Sequence, residues 1–201
     1  MSGSSEAELK HLIRSLGIQH TFLGTFDCRF PGFLDSNKIK TAIVNTGPRE
    51  SGGVHWIAFA WNPIGYKLYL FDALGWKDKE LEKYYNFSYK HIIKRSALET
   101  PSRCVQLVKN SEAVQCTCAG SCGLFCVLFL YCFNKFPNNP YDNYIMNDFY
   151  GCKAALKPVC PKQLHLNQIK LYDFLRKHSD YFVKNETHIV NNTNTYLIKT
   201  H

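Results

Sequence analysis

An uncharged apolar run in the middle of the chain, Cys122–Phe133, constrains the fold more than any other segment. Its sequence, CGLFCVLFLYCF, places apolar residues on nearly every side of a helix, and such a helix must be buried. The most membrane-like part, Leu124 to Phe133, covers only ten residues, whereas a membrane-spanning helix needs about 20. We therefore predict a buried central helix around which the rest of the chain packs.

The composition is that of a folded protein. The chain has 201 residues, of which 45% are hydrophobic and 14% aromatic, which excludes a disordered chain and gives enough length for a core. The first ten residues, MSGSSEAELK, contain no apolar stretch, so we expect no secretory signal. Nine cysteines without such a signal predict free thiols and no disulfide framework.

Periodic patterns on both sides of the apolar run predict one α+β domain across residues 1–201, with a mixed or antiparallel sheet and flanking helices. A capping box at Ser5 and Glu8 begins the first predicted helix, which has apolar residues at helical spacing over 9–16. The other predicted elements are strands at 41–44, 54–61, 66–72 and 104–108, a long helical segment from Asp78, loops at 109–121 and 134–144, and a last helix at 163–178.

The strands at 54–61 and 66–72 are predicted to form a hairpin about the segment Asn62-Pro63-Ile64-Gly65. In a hairpin symmetric about that segment, opposed residues have numbers that sum to 127, which pairs His55 with Asp72. Opposed residues share a face, with Cβ atoms about 4.5–5.5 Å apart, so the carboxylate can accept a hydrogen bond from the imidazole and stabilise its cationic form. The plainer alternative is a histidine satisfied within its strand, with Asp72 simply ending the next one.

Cys122 lies in AGSCGLFC, at the predicted start of the central helix. A helix N-terminus stabilises a thiolate and lowers the pKa of a cysteine from about 8.5. With an imidazole in reach, such a thiolate is a nucleophile with a general base. Gln115, seven residues upstream, can supply an amide that stabilises an oxyanion together with a backbone N–H. The alternative for Cys122 is a buried structural thiol.

A zinc site is a further alternative, built from Cys116, Cys118 and Cys122 with His55 or His91. The C-x-C-x3-C spacing matches no common zinc pattern, and no second cysteine cluster completes it. We therefore expect no metal.

Several stretches resemble the adenovirus endopeptidase family of cysteine proteases, which has a papain-like active site on its own α+β fold. The most specific are GGVHW and SCGLFC; AIVNTGPRESGGVHWIAFAWNP, VQCTCAGSCGLFC and LYDFLRKHSDYF extend the resemblance over essentially the whole chain. It implies a single cysteine protease domain in which His55 is the catalytic histidine, Cys122 the nucleophile and Gln115 the oxyanion-hole glutamine. Asp72 takes the place of a glutamate found in many members.

The resemblance also implies activators, substrates and a location. Members are activated by DNA and by a short viral peptide, cut from a capsid precursor, which forms a disulfide at the position of Cys104. The net charge of +8 is compatible with a polyanionic partner. The implied substrates are viral precursor proteins cleaved at glycine-containing sites during virion maturation, and the implied locations are the virion and the host cell nucleus, with no membrane partner.

Two other functions fit parts of the pattern. A peptidase that processes ubiquitin-like modifiers shares the order of histidine, aspartate, glutamine and cysteine along the chain. A non-enzymatic nucleic-acid-binding protein fits the positive charge and the aromatic content, but it leaves GGVHW and SCGLFC without a role.

Overall fold

The computed structural model describes residues 3–35, 37–98, 104–152 and 160–194 and contains one five-stranded sheet with helices around it. The helices are α1 (Glu6–Ser15), α2 (Asp78–Tyr85), α3 (Tyr89–Arg95), α4 (Cys122–Lys135), α5 (Pro161–His178) and α6 (Asp180–Thr193). The strands are β1 (Phe22–Phe26), β2 (Lys40–Asn45), β3 (Trp56–Asn62), β4 (Lys67–Asp72) and β5 (Gln106–Lys109). The predicted α+β class is confirmed.

The sheet is mixed, as predicted, and its strands lie in chain order from β1 to β5. The inner pairs β2–β3 and β3–β4 are antiparallel, while the outer pairs β1–β2 and β4–β5 are parallel. Every residue of β3 is buried, because α4 covers one face of the sheet and a second apolar cluster, with Phe30 and Phe33, covers the other. The central strands are therefore held on both faces.

The apolar run forms the buried helix α4, which begins at Cys122 as predicted. The helix packs against β3, α1 and α5, and the ring of Phe129 stacks on that of Phe71 in β4, with centroids 4.9 Å apart. No helix within the described residues is both apolar and long enough to cross a bilayer. The sheet therefore fixes α4, and α4 places Cys122 at its first turn.

Helix α1 begins with the predicted capping box. The hydroxyl of Ser5 accepts a hydrogen bond from the Glu8 amide at 3.2 Å, and the Glu8 carboxylate accepts one from the Ser5 amide at 2.7 Å. The apolar face of α1, with Leu9, Leu12 and Ile13, is buried in the same core as α4. The cap therefore holds the N-terminal segment next to the start of α4.

The predicted hairpin forms, but its register is wrong by two residues. Ile57 pairs with Asp72, so opposed residues have numbers that sum to 129. The four-residue turn lies one residue further along the chain than expected, at 63–66, because Gly65 and Tyr66 both adopt left-handed conformations, with φ of 81° and 53°, and the Asn62 side chain accepts a hydrogen bond inside the turn. Tyr66 therefore belongs to the turn and not to a strand.

The helical segment predicted from Asp78 is divided into α2 and α3. Asn86 ends α2 in a left-handed conformation, with φ of 49°, which asparagine tolerates better than most residues. Phe87 then turns into the second apolar cluster. The helical character of the segment was predicted, but the break at Asn86 was not.

Other boundaries differ from the predicted ones, and two elements were not predicted. The strand expected at 104–108 is found at Gln106–Lys109, and α4 continues through Lys135, into the expected loop. Strand β1 and helix α6 were missed. Helix α6 starts at an N-cap, Ser179, whose hydroxyl accepts a hydrogen bond from the Phe182 amide at 3.1 Å.

Replacement of Ser5 by alanine should lower the free energy of unfolding by about 1 kcal/mol, since it removes the side-chain half of the capping box. Ser88 is a matched control because it is the N-cap of α3 but makes no side-chain capping hydrogen bond. Urea unfolding of Ser5→Ala, Ser88→Ala and the wild-type protein measures both effects. Equal losses in the two variants would contradict a stabilising role of the α1 cap.

Candidate active site

Three of the predicted site residues line one cleft at the N-terminal end of α4. The cleft has a volume of about 720 Å³, and its walls include His55, Gln115 and Cys122. Asp72 lies behind His55 and is fully buried. The fifth predicted residue, Cys104, is exposed just before β5 and does not line the cleft.

His55 and Asp72 are in direct contact. The ring Nε2 of His55 and Oδ1 of Asp72 are 2.7 Å apart, and the two side chains are 3% and 0% exposed. His55 directly precedes β3 and Asp72 ends β4, so the two-residue register shift makes them diagonal neighbours that still share a face. The expected hydrogen bond is therefore present although the expected pairing is not.

The turn after β4 holds the Asp72 carboxylate in place. The amide of Leu74 donates to Oδ1 at 2.9 Å, and the amide of Trp76 donates to Oδ2 at 3.1 Å. Gly75 between them has a φ of 66°, and a Cβ there would collide with the carbonyl carbon of Glu112. The segment DALGW thus builds a turn that orients the carboxylate toward His55.

Asn45, at the end of β2, holds the segment that precedes His55. Its Oδ1 accepts a hydrogen bond from the Val54 amide at 2.9 Å, while the Thr46 amide donates to the His55 carbonyl at 2.8 Å. Gly53 has a φ of 81°, and a Cβ there would lie 2.9 Å from Asn45 Nδ2. Asn45 was not among the predicted site residues; the available signal was a polar residue that ends an apolar strand.

The pKa values of His55 and Cys122 shift in the directions that favour an ion pair. Burial alone would lower the pKa of His55, but its hydrogen bond to Asp72 and its contact with Cys122 outweigh burial and raise the pKa to about 10. Burial alone would raise the pKa of Cys122, but the hydrogen bond and charge of His55 lower it. Since Nε2 faces Asp72, Nδ1 is the ring nitrogen left for the sulfur. The site therefore favours a thiolate beside an imidazolium.

Two aromatic rings cover the imidazole. The ring of Tyr85 stacks on that of His55, with centroids 5.5 Å apart, and Trp76 stacks on Tyr85 at 5.1 Å. A cationic imidazole is attracted to the face of an aromatic ring, so this stack favours the charged form and restrains the ring. Tyr85 was predicted only as part of the helical segment that begins at Asp78, and nothing in the sequence indicated its contact with His55.

Gln115 is buried in the loop before α4. Its Nε2 donates to the carbonyl of Ala119 at 2.6 Å, which leaves the second amide hydrogen available, and the buried Oε1 has no hydrogen-bond partner in the described part of the chain. Ser121, the N-cap of α4, makes no side-chain capping hydrogen bond. The first amides of α4 therefore remain free to stabilise negative charge beside Cys122.

The comparisons with known proteins decide the family. The family model for adenovirus endoprotease matches residues 22–197. The chain belongs to the adenovirus endoprotease family. The proteases of bovine adenovirus 7 and snake adenovirus serotype 1 are each 57% identical over 201 residues, which cover the whole of both chains. The protease of human adenovirus B serotype 3 is 46% identical over 184 residues, 90% of this chain and 88% of its own.

Membership makes this protein a cysteine-type viral endopeptidase of virion maturation. It confirms the resemblance that GGVHW and SCGLFC indicated, and it excludes a purely nucleic-acid-binding role.

One disulfide in the protease contradicts the prediction that all its cysteines are free. Cys116 and Cys118 are joined and enclose only Thr117, in the loop between Gln115 and Cys122. Cys118 lines the cleft, so the closed loop forms part of its wall. The seven other cysteines are free thiols. No disulfide framework is formed, but this local pair was not expected.

The protease has no evident metal centre in the ranges that the structure describes. No group of three or more histidine, cysteine, aspartate or glutamate side chains there could hold a metal ion. Cys116 and Cys118, which the zinc alternative required as ligands, are instead bonded to each other.

Replacement of Asp72 by asparagine should narrow the pH range of activity from the alkaline side. Without the carboxylate, His55 loses the hydrogen bond to Asp72 that raises its pKa, so the imidazolium is lost at lower pH than in the wild-type protein and kcat falls by at least about tenfold. The pH dependence of kcat/KM measures the shift. Asp148→Asn, at an exposed site outside the cleft, should leave the profile unchanged. An unaltered alkaline limb in Asp72→Asn would contradict the role of the carboxylate.

Proposed function

We propose that this protease cleaves viral precursor proteins at glycine-containing sites through an acyl-enzyme, with Cys122 as nucleophile and His55 as acid and base. The observation that carries the proposal is the 2.7 Å contact between His55 and a fully buried Asp72, in a cleft that also contains Cys122. A nucleophile, a base and a group that orients the base are the parts that covalent catalysis requires.

In the first half of the reaction, the Cys122 thiolate attacks the carbonyl carbon of the scissile peptide bond. His55, charged at the start, gives the proton on Nδ1 to the leaving nitrogen as the C–N bond breaks. Asp72 accepts the hydrogen bond from Nε2 and so keeps the ring oriented while its charge changes. The products of this half are a free amine and a thioester on Cys122.

In the second half, neutral His55 takes a proton from a water molecule that attacks the thioester. The C–S bond breaks, a carboxylic acid product leaves, and the thiolate and imidazolium form again. In both halves the tetrahedral oxyanion would be stabilised by the Gln115 amide and the backbone N–H of Cys122. The free amide hydrogen of Gln115 and the uncapped start of α4 support this assignment.

The walls of the cleft support an extended substrate with small residues near the scissile bond. Three glycines line the cleft, Gly52, Gly53 and Gly120. Because glycine has no side chain, its backbone can come close to an extended peptide and bind it. Glycine in the substrate suits a cleft of this kind. The family resemblance supplies the viral precursor proteins as substrates.

We further propose that a short viral peptide activates the protease through a disulfide with Cys104 and strand addition to β5. Cys104 is an exposed free thiol. Strand β5 is the last strand of the sheet, and its outer edge pairs with no other strand in the described residues. Edge strands accept extended peptides through backbone hydrogen bonds. Arg103, the neighbour of Cys104 in the SRC motif, lies outside the described residues.

A peptide bound to β5 would be linked to Asp72 through a single residue, Asn110. Asn110 follows β5 directly; its Oδ1 accepts a hydrogen bond from the Asp72 amide at 2.9 Å, and its Nδ2 donates to the Asp72 carbonyl at 2.6 Å. Ordering of β5 by a peptide would therefore restrain Asp72, and through it His55.

DNA is the second proposed activator, bound without sequence preference, and the proposed locations are the virion and the host cell nucleus. The chain has 24 lysine and arginine residues and 16 acidic residues, and this positive excess favours contact with phosphates. Stimulation by DNA should then fall steeply as salt rises, because each phosphate contact releases counterions.

Cleavage of a glycine-containing viral precursor peptide by wild type and by Cys122→Ala tests the proposed chemistry. Only the wild-type protein should cleave, and the activating peptide and DNA should each raise its rate. Cys28→Ala removes a thiol that does not line the cleft and should keep full activity. A preference for a diglycine-linked modifier over the precursor peptide would instead favour the modifier-peptidase alternative, and activity of Cys122→Ala would exclude the mechanism.

Replacement of Cys104 by alanine should abolish covalent capture of the activating peptide and keep the basal activity. Cys160→Ala is the matched control, because Cys160 is the other exposed free thiol. Mass spectrometry after oxidation with the peptide should detect the adduct in wild type and Cys160→Ala but not in Cys104→Ala. An adduct that persists in Cys104→Ala would reject this attachment site.

A further inference from the structure

The loop that carries Gln115 is held at its upstream end by Asn167 of α5 and at its downstream end by the Thr193 carbonyl of α6, which the neighbouring Gln168 of α5 also binds. We call residues 115–121, between β5 and α4, the oxyanion loop. Asn167 is 0% and Gln168 4% exposed, and neither lines the active-site cleft. The following inference rests on the proposed role of the oxyanion loop in catalysis.

Asn167 holds the upstream end of the oxyanion loop. Its Nδ2 donates to the carbonyl of Val114 at 2.9 Å and to that of Tyr150 at 2.7 Å, and its Oδ1 accepts from the Tyr150 amide at 2.8 Å. With both amide hydrogens and the oxygen engaged, the Asn167 side chain has one defined orientation. It fixes the carbonyl directly before Gln115.

The same upstream end is also bound by the turn that follows β4. The amides of Val114 and Gln115 both donate to the carbonyl of Ala73, at 2.9 and 3.1 Å. Ala73 directly follows Asp72, so this contact ties Gln115 to the catalytic carboxylate. Asn167 and Ala73 together leave the backbone at Gln115 little freedom.

Gln168 holds the downstream end through the last turn of α6. Its Nε2 donates to the carbonyl of Thr193 at 3.0 Å, and the same carbonyl accepts from the Gly120 amide at 3.0 Å. The Tyr172 hydroxyl lies 2.7 Å from Gln168 Nε2 and 2.8 Å from the Thr193 hydroxyl. This buried network anchors the loop two residues before Cys122.

The contacts within the oxyanion loop cannot replace these anchors. The Gln115–Ala119 hydrogen bond and the Cys116–Cys118 disulfide join parts of the loop to one another, so they shape the loop without fixing it relative to α4. Oxyanion stabilisation requires donors already placed where the charge develops, within about 0.5 Å. We propose that Asn167 and Gln168 are positioning residues that set the Gln115 amide and the Cys122 N–H for turnover.

A positioning role predicts a loss of kcat with little change in KM. Asn167→Ala should lower kcat by about tenfold or more, and KM should change by less than about twofold, because the loop acts on the transition state and not on the bound substrate. Asn143→Ala is the matched control. Asn143 is also buried and hydrogen-bonded through both side-chain atoms, but it lies outside the cleft, so its loss should lower stability and leave kcat unchanged.

A double-mutant cycle tests whether Asn167 acts through Gln115. Gln115→Ala alone should lower kcat by about 10²–10³-fold. In the Gln115→Ala background, Asn167→Ala should cause less than about twofold further loss, because the group that it positions is already absent. If the loss of kcat in the double variant equals the product of the two single losses, Asn167 acts independently of Gln115 and the proposal is overturned.

Gln168→Met, which keeps the side-chain size, provides the second test and carries it if Asn167→Ala does not fold. It should lower kcat with KM unchanged, as Asn167→Ala does. If the positioning variants turn over substrate as fast as Asn143→Ala, the proposal is wrong while the protease function stands. If wild type and Cys122→Ala are equally inactive toward precursor peptides, the proposed function itself fails.

Discussion

The hydrogen bond between His55 and Asp72 is the interaction on which the rest of the site depends. A fully buried carboxylate is strongly unfavourable unless it is paired and hydrogen-bonded. Asp72 accepts three hydrogen bonds, from His55, Leu74 and Trp76, and its backbone is held on the other side by Asn110. These requirements fix the end of β4, the turn after it and the orientation of the imidazole at once.

The sequence predicted this contact for a reason that was only partly right. Side chains alternate along a strand with a period of two, so a register error of two residues keeps His55 and Asp72 on one face. The register itself depended on the left-handed conformation of Tyr66, which no residue pattern indicated. Tyr85 was missed as a neighbour of His55 because their contact joins elements that are distant in the sequence. Asn45 was missed because its hydrogen bond to Val54 depends on the left-handed backbone at Gly53, which no residue pattern indicated.

The difference between local sequence signals and contacts that depend on the folded core also explains which elements of the fold could be predicted. The buried α4 and the capped α1 have strong local signals, namely a continuous apolar run and a capping box. Helix α6 has many polar residues, and its few apolar anchors, such as Phe182 and Ile189, become informative only when the core that receives them is known. The break at Asn86 and the Cys116–Cys118 bond likewise depend on backbone conformations that composition does not encode.

The outer edge of β5 has a consequence for the solution behaviour of the protease. An edge with unpaired backbone groups accepts a strand from any chain, including a second copy of the same protein. Leu107 on this edge is 38% exposed, which adds an apolar contact to such a pairing, while the short length of β5, four residues, keeps the pairing weak. A peptide that occupies the edge would therefore also act as a shield against self-association.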